Sequence, residues 1–355
     1  SRVVITSPEF DEPLQSVADL VPRVEHVITT DGASGEVLDY ESLLAAQPHE
    51  SPDADVGPDD VAWLFYTSGT TGRPKGAMLT HDNHLWNVVN SLSFGRGLRE
   101  GDLTVTVAPM FHIGGLGIHT LPLLYAGGTN VLLPAFDPVQ TLDAMSRERA
   151  TVQFMVPAMW AALMSVPGFD DFDLSSLELA VSGGAPCPLP VIDFYQGKGL
   201  PFQEGFGMTE TAPIVSVLDA DHVKEKAGSI GRAVFHVEAR IADEADKDAR
   251  VDEVGELVLR GPNVFTGYWG LPEATAMMCF TPGMVSFTKG PPWGCMPPPD
   301  MPGTGPFLGA GGLERAARTV HRISPVKPLS AIRRTRASSR RFREVASWPS
   351  WATRV

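Results

Sequence analysis

Cysteine is scarce: Cys187, Cys279 and Cys295 are the only three in 355 residues. They form neither a metal-ligand spacing nor a disulfide framework, so a reducing compartment is the default and a cytoplasmic protein is expected. Long apolar runs are also missing. The richest stretch, residues 113–128, is interrupted by His119, Pro122 and five glycines and is too short and broken to cross a bilayer, so no integral membrane segment is expected. The opening residues, Ser1-Arg2-Val3-Val4-Ile5-Thr6, have no starting Met and no signal-peptide layout. Basic residues are few before residue 277: sixteen Lys and Arg stand against 39 Asp and Glu, a net −23. No nucleic-acid partner is expected.

The overall charge of −14 conceals a break in composition. Residues 277–355 hold twelve Lys and Arg, three Asp and Glu, and eleven of the 31 prolines. No period of 2 or 3.6 runs through them. Proline, arginine, glycine and serine in this mixture read as the product of a shifted frame in a GC-rich gene, giving a basic tail with no packed core of its own. The alternative is a basic tail for nucleic acid or an anionic membrane.

Before the break, short apolar runs bounded by turn residues recur at 3–5, 24–28, 61–66, 105–108, 131–133, 152–156 and 179–181. Helix-length segments such as 138–149 and 189–198 separate or follow them. Strands alternating with helices predict an α/β fold with a largely parallel sheet. The run Gly255-Glu256-Leu257-Val258-Leu259-Arg260-Gly261 reads as a strand of a later, more β-rich part. Length alone allows two or more domains at about 150 residues each.

The segment with most chemistry is Phe65-Tyr66-Thr67-Ser68-Gly69-Thr70-Thr71-Gly72-Arg73-Pro74-Lys75-Gly76. Its glycines let the backbone turn N–H groups toward an anion. Thr67, Ser68, Thr70 and Thr71 add hydroxyl donors and Lys75 a positive charge, which equips the loop to hold a polyphosphate. The spacing is not that of the G-x-x-x-x-G-K-[ST] P-loop. A second constellation is Gln203-Glu204-Gly205-Phe206-Gly207-Met208-Thr209-Glu210-Thr211. Phe206, between glycines, suits the face of a purine, Thr209 a phosphate, and Glu210 a Mg²⁺ ion, which prefers oxygen ligands and keeps its waters.

Both segments closely resemble signature motifs of the adenylate-forming, AMP-binding superfamily, and among its members the acyl-CoA synthetases in particular. Two further segments share the resemblance: Ser182-Gly183-Gly184-Ala185-Pro186, and Ala108-Pro109-Met110-Phe111-His112-Ile113-Gly114-Gly115. It implies a large-domain fragment with parallel sheets sandwiched by helices and a partial β-rich subdomain. The divisions expected are 1–56, a remnant of a first α/β subdomain; 57–232, a nucleotide-binding core; 233–276, β-rich; and 277–355, the tail. The phosphate loop would comprise Thr67, Ser68, Gly69, Thr70, Thr71, Gly72 and Lys75. Gly183, Gly184, Ala185 and Pro186 would line the adenine site, and Gly205, Phe206, Gly207 and Thr209 would also bind the nucleotide, Thr209 through a phosphate. Lys75, Thr209, Glu210 and His112 would be the catalytic group, with His112 near the acyl pocket and Glu210 on the metal.

The implied substrates are ATP with Mg²⁺, a carboxylic acid and coenzyme A. A fatty acid is favoured; an aryl acid, a peptide-synthetase-type adenylation domain and a non-catalytic nucleotide-binding remnant are the alternatives. The resemblance ends near residue 276, and neither the family's Thr-Gly-Asp element nor its C-terminal catalytic lysine is recognisable beyond it. Its opening elements are not recognisable ahead of residue 1 either, so a truncated and impaired ligase is expected.

Overall fold

A computed structural model describes residues 1–30, 32, 37–50, 52–67, 73–243, 245–250 and 253–278, and the backbone of 284–287. Two compact units divide at Val56 and Gly57. The first holds strands β1 (Val3–Thr6), β2 (His26–Thr29) and β3 (Leu38–Asp39) in one parallel sheet of that order, with helices α1 (Asp11–Ser16) and α2 (Tyr40–Ala45). Asp39 caps α2 by accepting from the Ser42 N–H, as short acidic side chains do at helix starts.

The second unit begins with an antiparallel hairpin, β4 (Val61–Thr67) and β5 (Lys75–Thr80). Helix α3 (His81–Ser93) follows directly, started by a reciprocal pair in which Thr80 Oγ1 accepts from the Asn83 N–H and Asn83 Oδ1 from the Thr80 N–H. Next come β6 (Leu103–Thr106), a short α4 (Ile113–Gly115), a π-helical turn (Leu116–Thr120), α5 (Leu121–Ala126) and β7 (Thr129–Leu132). Helix α6 (Pro138–Arg147), β8 (Val152–Met155), α7 (Pro157–Met164), β9 (Leu179–Gly183), α8 (Leu189–Gly197) and β10 (Phe202–Gly207) then alternate. Strands β11 (Ile214–Leu218), β12 (Arg232–Ala233), β13 (Glu238–Ala242), β14 (Glu256–Arg260) and β15 (Gly267–Tyr268), helix α9 (Pro272–Met278) and β16 (Met284–Phe287) complete it.

The main sheet runs β12-β11-β10-β9-β8. Its β8, β9 and β10 are parallel, and β11 and β12 are antiparallel, so it is mixed rather than largely parallel. The pair β6-β7 is parallel. Gln153, fully buried on β8, couples that pair to the main sheet: its side-chain amide accepts from the Val105 N–H at 3.1 Å and donates to the Val105 carbonyl at 2.8 Å. A side chain thus mimics a strand neighbour and satisfies both backbone groups of Val105. Beneath the sheet, Trp160 and Tyr195 meet edge to face at 4.8 Å, and Tyr195 stacks on Phe202 at 5.3 Å. Both polar ends are satisfied, with Trp160 Nε1 donating to the Val181 carbonyl and the Tyr195 hydroxyl to that of Trp160.

A second core, including Phe65, Leu79, Val217, Leu259, Phe265 and Tyr268, joins the β4-β5 hairpin to the β-rich part. One strand of that part comes from beyond residue 276: β16 pairs antiparallel with β14, Leu257 opposite Phe287. The rest of the basic tail lies outside the described residues.

Asparagines hold these layers in register. Asn83, Asn87 and Asn90 lie on the buried face of α3 at helical spacing. Asn83 Nδ2 donates to the carbonyls of Pro262 and Val264, both at 2.9 Å. Asn87 bridges the Gly117 carbonyl and the Ile214 N–H, and Asn90 accepts from the His236 N–H. Asn263, fully buried, donates to the carbonyls of Thr211 at 2.6 Å and Ile214 at 2.9 Å. Asn263→Ala should therefore strand two buried carbonyls and lower unfolding free energy by about 2–4 kcal/mol. Urea unfolding measures this, and a loss under about 0.5 kcal/mol would contradict the clamp.

Candidate active site

Thr67 ends β4 and Lys75 begins β5, and the two are register partners. The described residues on either side of the glycine-threonine segment are thus the paired ends of two antiparallel strands. Thr67 Oγ1 lies 3.5 Å from the Lys75 carbonyl oxygen. Ser68, Gly69, Thr70, Thr71 and Gly72 lie outside the described residues.

Gly183 on β9 and Gly205 on β10 are also register partners, so the turn carrying Gly184, Ala185 and Pro186 stands beside the end of β10. All three turn residues are exposed. Gly184 has φ +88°, a left-handed conformation that costs other residues energy. Crevices at the carboxyl ends of parallel strands are the usual ligand sites of α/β sheets. Gly207 has a different cause: a β-carbon there would sit 2.0 Å from the Pro213 carbonyl oxygen, where the chain doubles back from Met208 to Pro213.

Phe206 is 7 % exposed and packs into the second core with Phe65, Ile113 and Val215.

Thr209 and Glu210 lie in a 3₁₀ turn, Thr209–Thr211, that follows β10. Thr209 is half-buried. Glu210 is 6 % exposed; its carbonyl accepts from the Phe265 N–H at 2.9 Å, and its Oε1 accepts from the Tyr268 hydroxyl at 2.6 Å. The Lys75 ammonium sits over the ring of that same tyrosine, 5.0 Å from its centroid. Lys75, at the start of β5, and Glu210, in the 3₁₀ turn, are thus both brought to Tyr268 from far apart in sequence. Tyr268 was not among the expected site residues; its signal was the aromatic in Thr266-Gly267-Tyr268-Trp269.

His112 precedes α4, and its Nδ1 accepts from the Gly114 N–H at 3.0 Å. Desolvation holds its pKa below the ordinary value, and the acceptor role of Nδ1 favours the same neutral form. The Phe154 ring connects this corner to the strand ends: β-carbons added at Gly114 or Gly183 would lie 3.4 and 3.2 Å from it. His119, behind it, is buried with its pKa pushed down to about 3 and so is neutral. The buried Cys187 thiol is pushed up to about 12, which makes it inert as a nucleophile.

Among the described residues, no group of three or more His, Cys, Asp or Glu could hold a metal ion. A single buried carboxyl, Glu210, fits a Mg²⁺ ion whose other ligands are phosphate oxygens and waters, and does not fit a cation caged by protein alone.

The profile of the AMP-binding enzyme family matches residues 1–269. The chain belongs to the AMP-binding enzymes. Feruloyl-CoA synthase from Amycolatopsis sp is 45% identical over 273 residues, covering 76% of this chain and 55% of that protein. Indoleacetate–CoA ligase from Aromatoleum aromaticum is 36% identical over 275 residues, with coverage of 77% and 54%. Among solved structures, the inhibitor-bound N-terminal domain of FACL13 from Mycobacterium tuberculosis matches with a TM-score of 0.73 at 27% identity, over 81% of this chain and 70% of that one. The chain spans about half the length of the curated relatives it matches.

Beneath the turn 183–187 of this AMP-binding enzyme lies Glu204, whose Oε1 accepts from the Cys187 N–H at 2.7 Å. Its Oε2 is buried without a partner, as is Ser182 Oγ on the register-paired residue. Burial pushes the Glu204 carboxyl up to about 7, against a smaller opposing effect of the Cys187 N–H. A carboxyl raised above its unfolded value contributes stability that is fully present below about pH 4.5 and is lost as pH rises through about 7. Glu204→Gln should flatten that decline, gaining about 2–3 kcal/mol over the wild type at pH 8 relative to pH 4. Chemical unfolding at both pH values measures it; parallel pH profiles would contradict the assignment.

Proposed function

We propose that this chain binds ATP with Mg²⁺ and a carboxylic acid and carries the groups for forming an acyl-adenylate, the first half of an acid–CoA ligation. The observation that carries the reading is the convergence of Lys75 and Glu210 on Tyr268, next to a glycine-bearing turn at the carboxyl ends of parallel strands. The substrate carboxylate attacks the α-phosphorus of ATP, and pyrophosphate leaves with the electron pair of the broken P–O bond. Lys75 would bind the β- and γ-phosphates and stabilise the charge that grows on the departing pyrophosphate. Thr209 would orient the α-phosphate by its hydroxyl. Glu210 would hold Mg²⁺, which neutralises phosphate charge when bound. The turn 183–186 and Gly205 would flank the adenine. Neutral His112, with Phe154 beside it, would bound the acyl group. A thiol from outside the chain, that of coenzyme A, would then take the acyl group and release AMP; the buried Cys187 is unsuited to that role.

For the acid we favour an aromatic one. The relatives named for feruloyl-CoA and indoleacetate support it, and so does the Phe154 wall close to Gly114 and Gly183. A fatty acid is the second reading, resting on the likeness of residues 109–112 and 205–211 to acyl-CoA synthetase motifs. Pyrophosphate exchange into ATP, stimulated by arylpropenoic or by long-chain acids, separates the two. Lys75→Ala should weaken Mg–ATP binding by about 10- to 100-fold, the range for losing one charged contact. Calorimetric titration reads this directly, and unchanged affinity would remove Lys75 from the site.

A further inference from the structure

We propose that Tyr268 is a positioning residue that keeps Lys75 and Glu210 close together yet unpaired, so that both remain available to a phosphate and a cation. This rests on the reading of those two residues given above. Oppositely charged side chains that meet in a partly dry site form an ion pair, and such a pair satisfies both partners. Among the described residues no ion pair joins Lys75 to Glu210. The tyrosine stands between them instead. Its ring carries the ammonium at 5.0 Å and its hydroxyl donates to Glu210 Oε1 at 2.6 Å. A phenol that donates to a carboxyl gains electron density, which strengthens the pull of its ring on a cation.

The ring is held firmly enough to act as a spacer. Tyr268 is 4 % exposed and meets Phe265 edge to face at 4.9 Å. Its backbone lies on β15, paired with Ala77 of β5, two residues from Lys75. Its N–H donates to Thr275 Oγ1 at 2.9 Å, and the next N–H, of Trp269, donates to the Gly76 carbonyl at 2.8 Å. Neither Lys75 nor Glu210 can therefore draw the tyrosine aside.

The test is calorimetric titration of the full chain with ATP in EDTA and with Mg–ATP. Tyr268→Leu should let the lysine collapse onto Glu210 and weaken Mg-free ATP binding by about tenfold. Adding Glu210→Gln to that variant should recover most of the loss, because the competing carboxylate is gone; a merely structural role for the tyrosine predicts no such rescue. Tyr268→Phe keeps the ring and should leave Mg-free ATP binding within about twofold, while weakening Mg–ATP about fivefold through the lost donor to Glu210. Failure of Glu210→Gln to rescue, or equal effects of Tyr268→Phe with and without Mg²⁺, would overturn the inference alone. Absence of any ATP binding by the wild-type chain would overturn the reading of the site, and this inference with it.

Discussion

The arrangement depends on buried backbone groups that side-chain amides must satisfy. The turn from Met208 to Pro213 and the segment from Pro262 to Thr266 lie outside the strands, so much of their N–H and C=O inventory has no ladder to join. Asn263 takes the carbonyls of Thr211 and Ile214, Asn83 those of Pro262 and Val264, and Asn87 the Ile214 N–H. Leaving such groups unmet would cost about 1–3 kcal/mol each. Because they are met, Glu210 and Tyr268 have fixed places against the β4-β5 hairpin, and Lys75 comes within reach of both.

From that constraint the electrostatics follow. Among the described residues the site joins the Lys75 ammonium, the buried Glu210 carboxyl and the Tyr268 ring. Nearby titratable groups are kept quiet: His119 is neutral by burial, and Cys187 is far from ionising. Glu204 sits one layer below, where its ionisation couples to the stability of the turn 183–187 and not to the proposed chemistry.

Much of this was legible in the amino-acid sequence, for physical reasons. Apolar runs at 61–66, 152–156 and 179–181 became β4, β8 and β9, and the segments at 138–149 and 189–198 became α6 and α8, because period and punctuation act locally. Lys75 and Glu210 stand out as candidates through their motif context and the family resemblance together, and the structure brings both to Tyr268. The antiparallel pairing of the strands on either side of the phosphate loop was not legible, since a strand followed by glycines is compatible with a helix or a strand beyond. The roles of Asn83, Asn87 and Asn90 depend on backbone groups at 117, 214, 236, 262 and 264, which no local pattern discloses. Tyr268 could not be assigned at all, because its partners lie 58 residues away at Glu210 and on another strand at Lys75.

A crystal structure of the chain with Mn²⁺ and a non-hydrolysable ATP analogue tests the central claim most directly. The account predicts an anomalous peak beside the Glu210 carboxyl, the β- and γ-phosphates in contact with the Lys75 ammonium, and the base against the turn 183–186. A nucleotide bound with its phosphates away from Lys75, or a metal peak with no contact to Glu210, would contradict it.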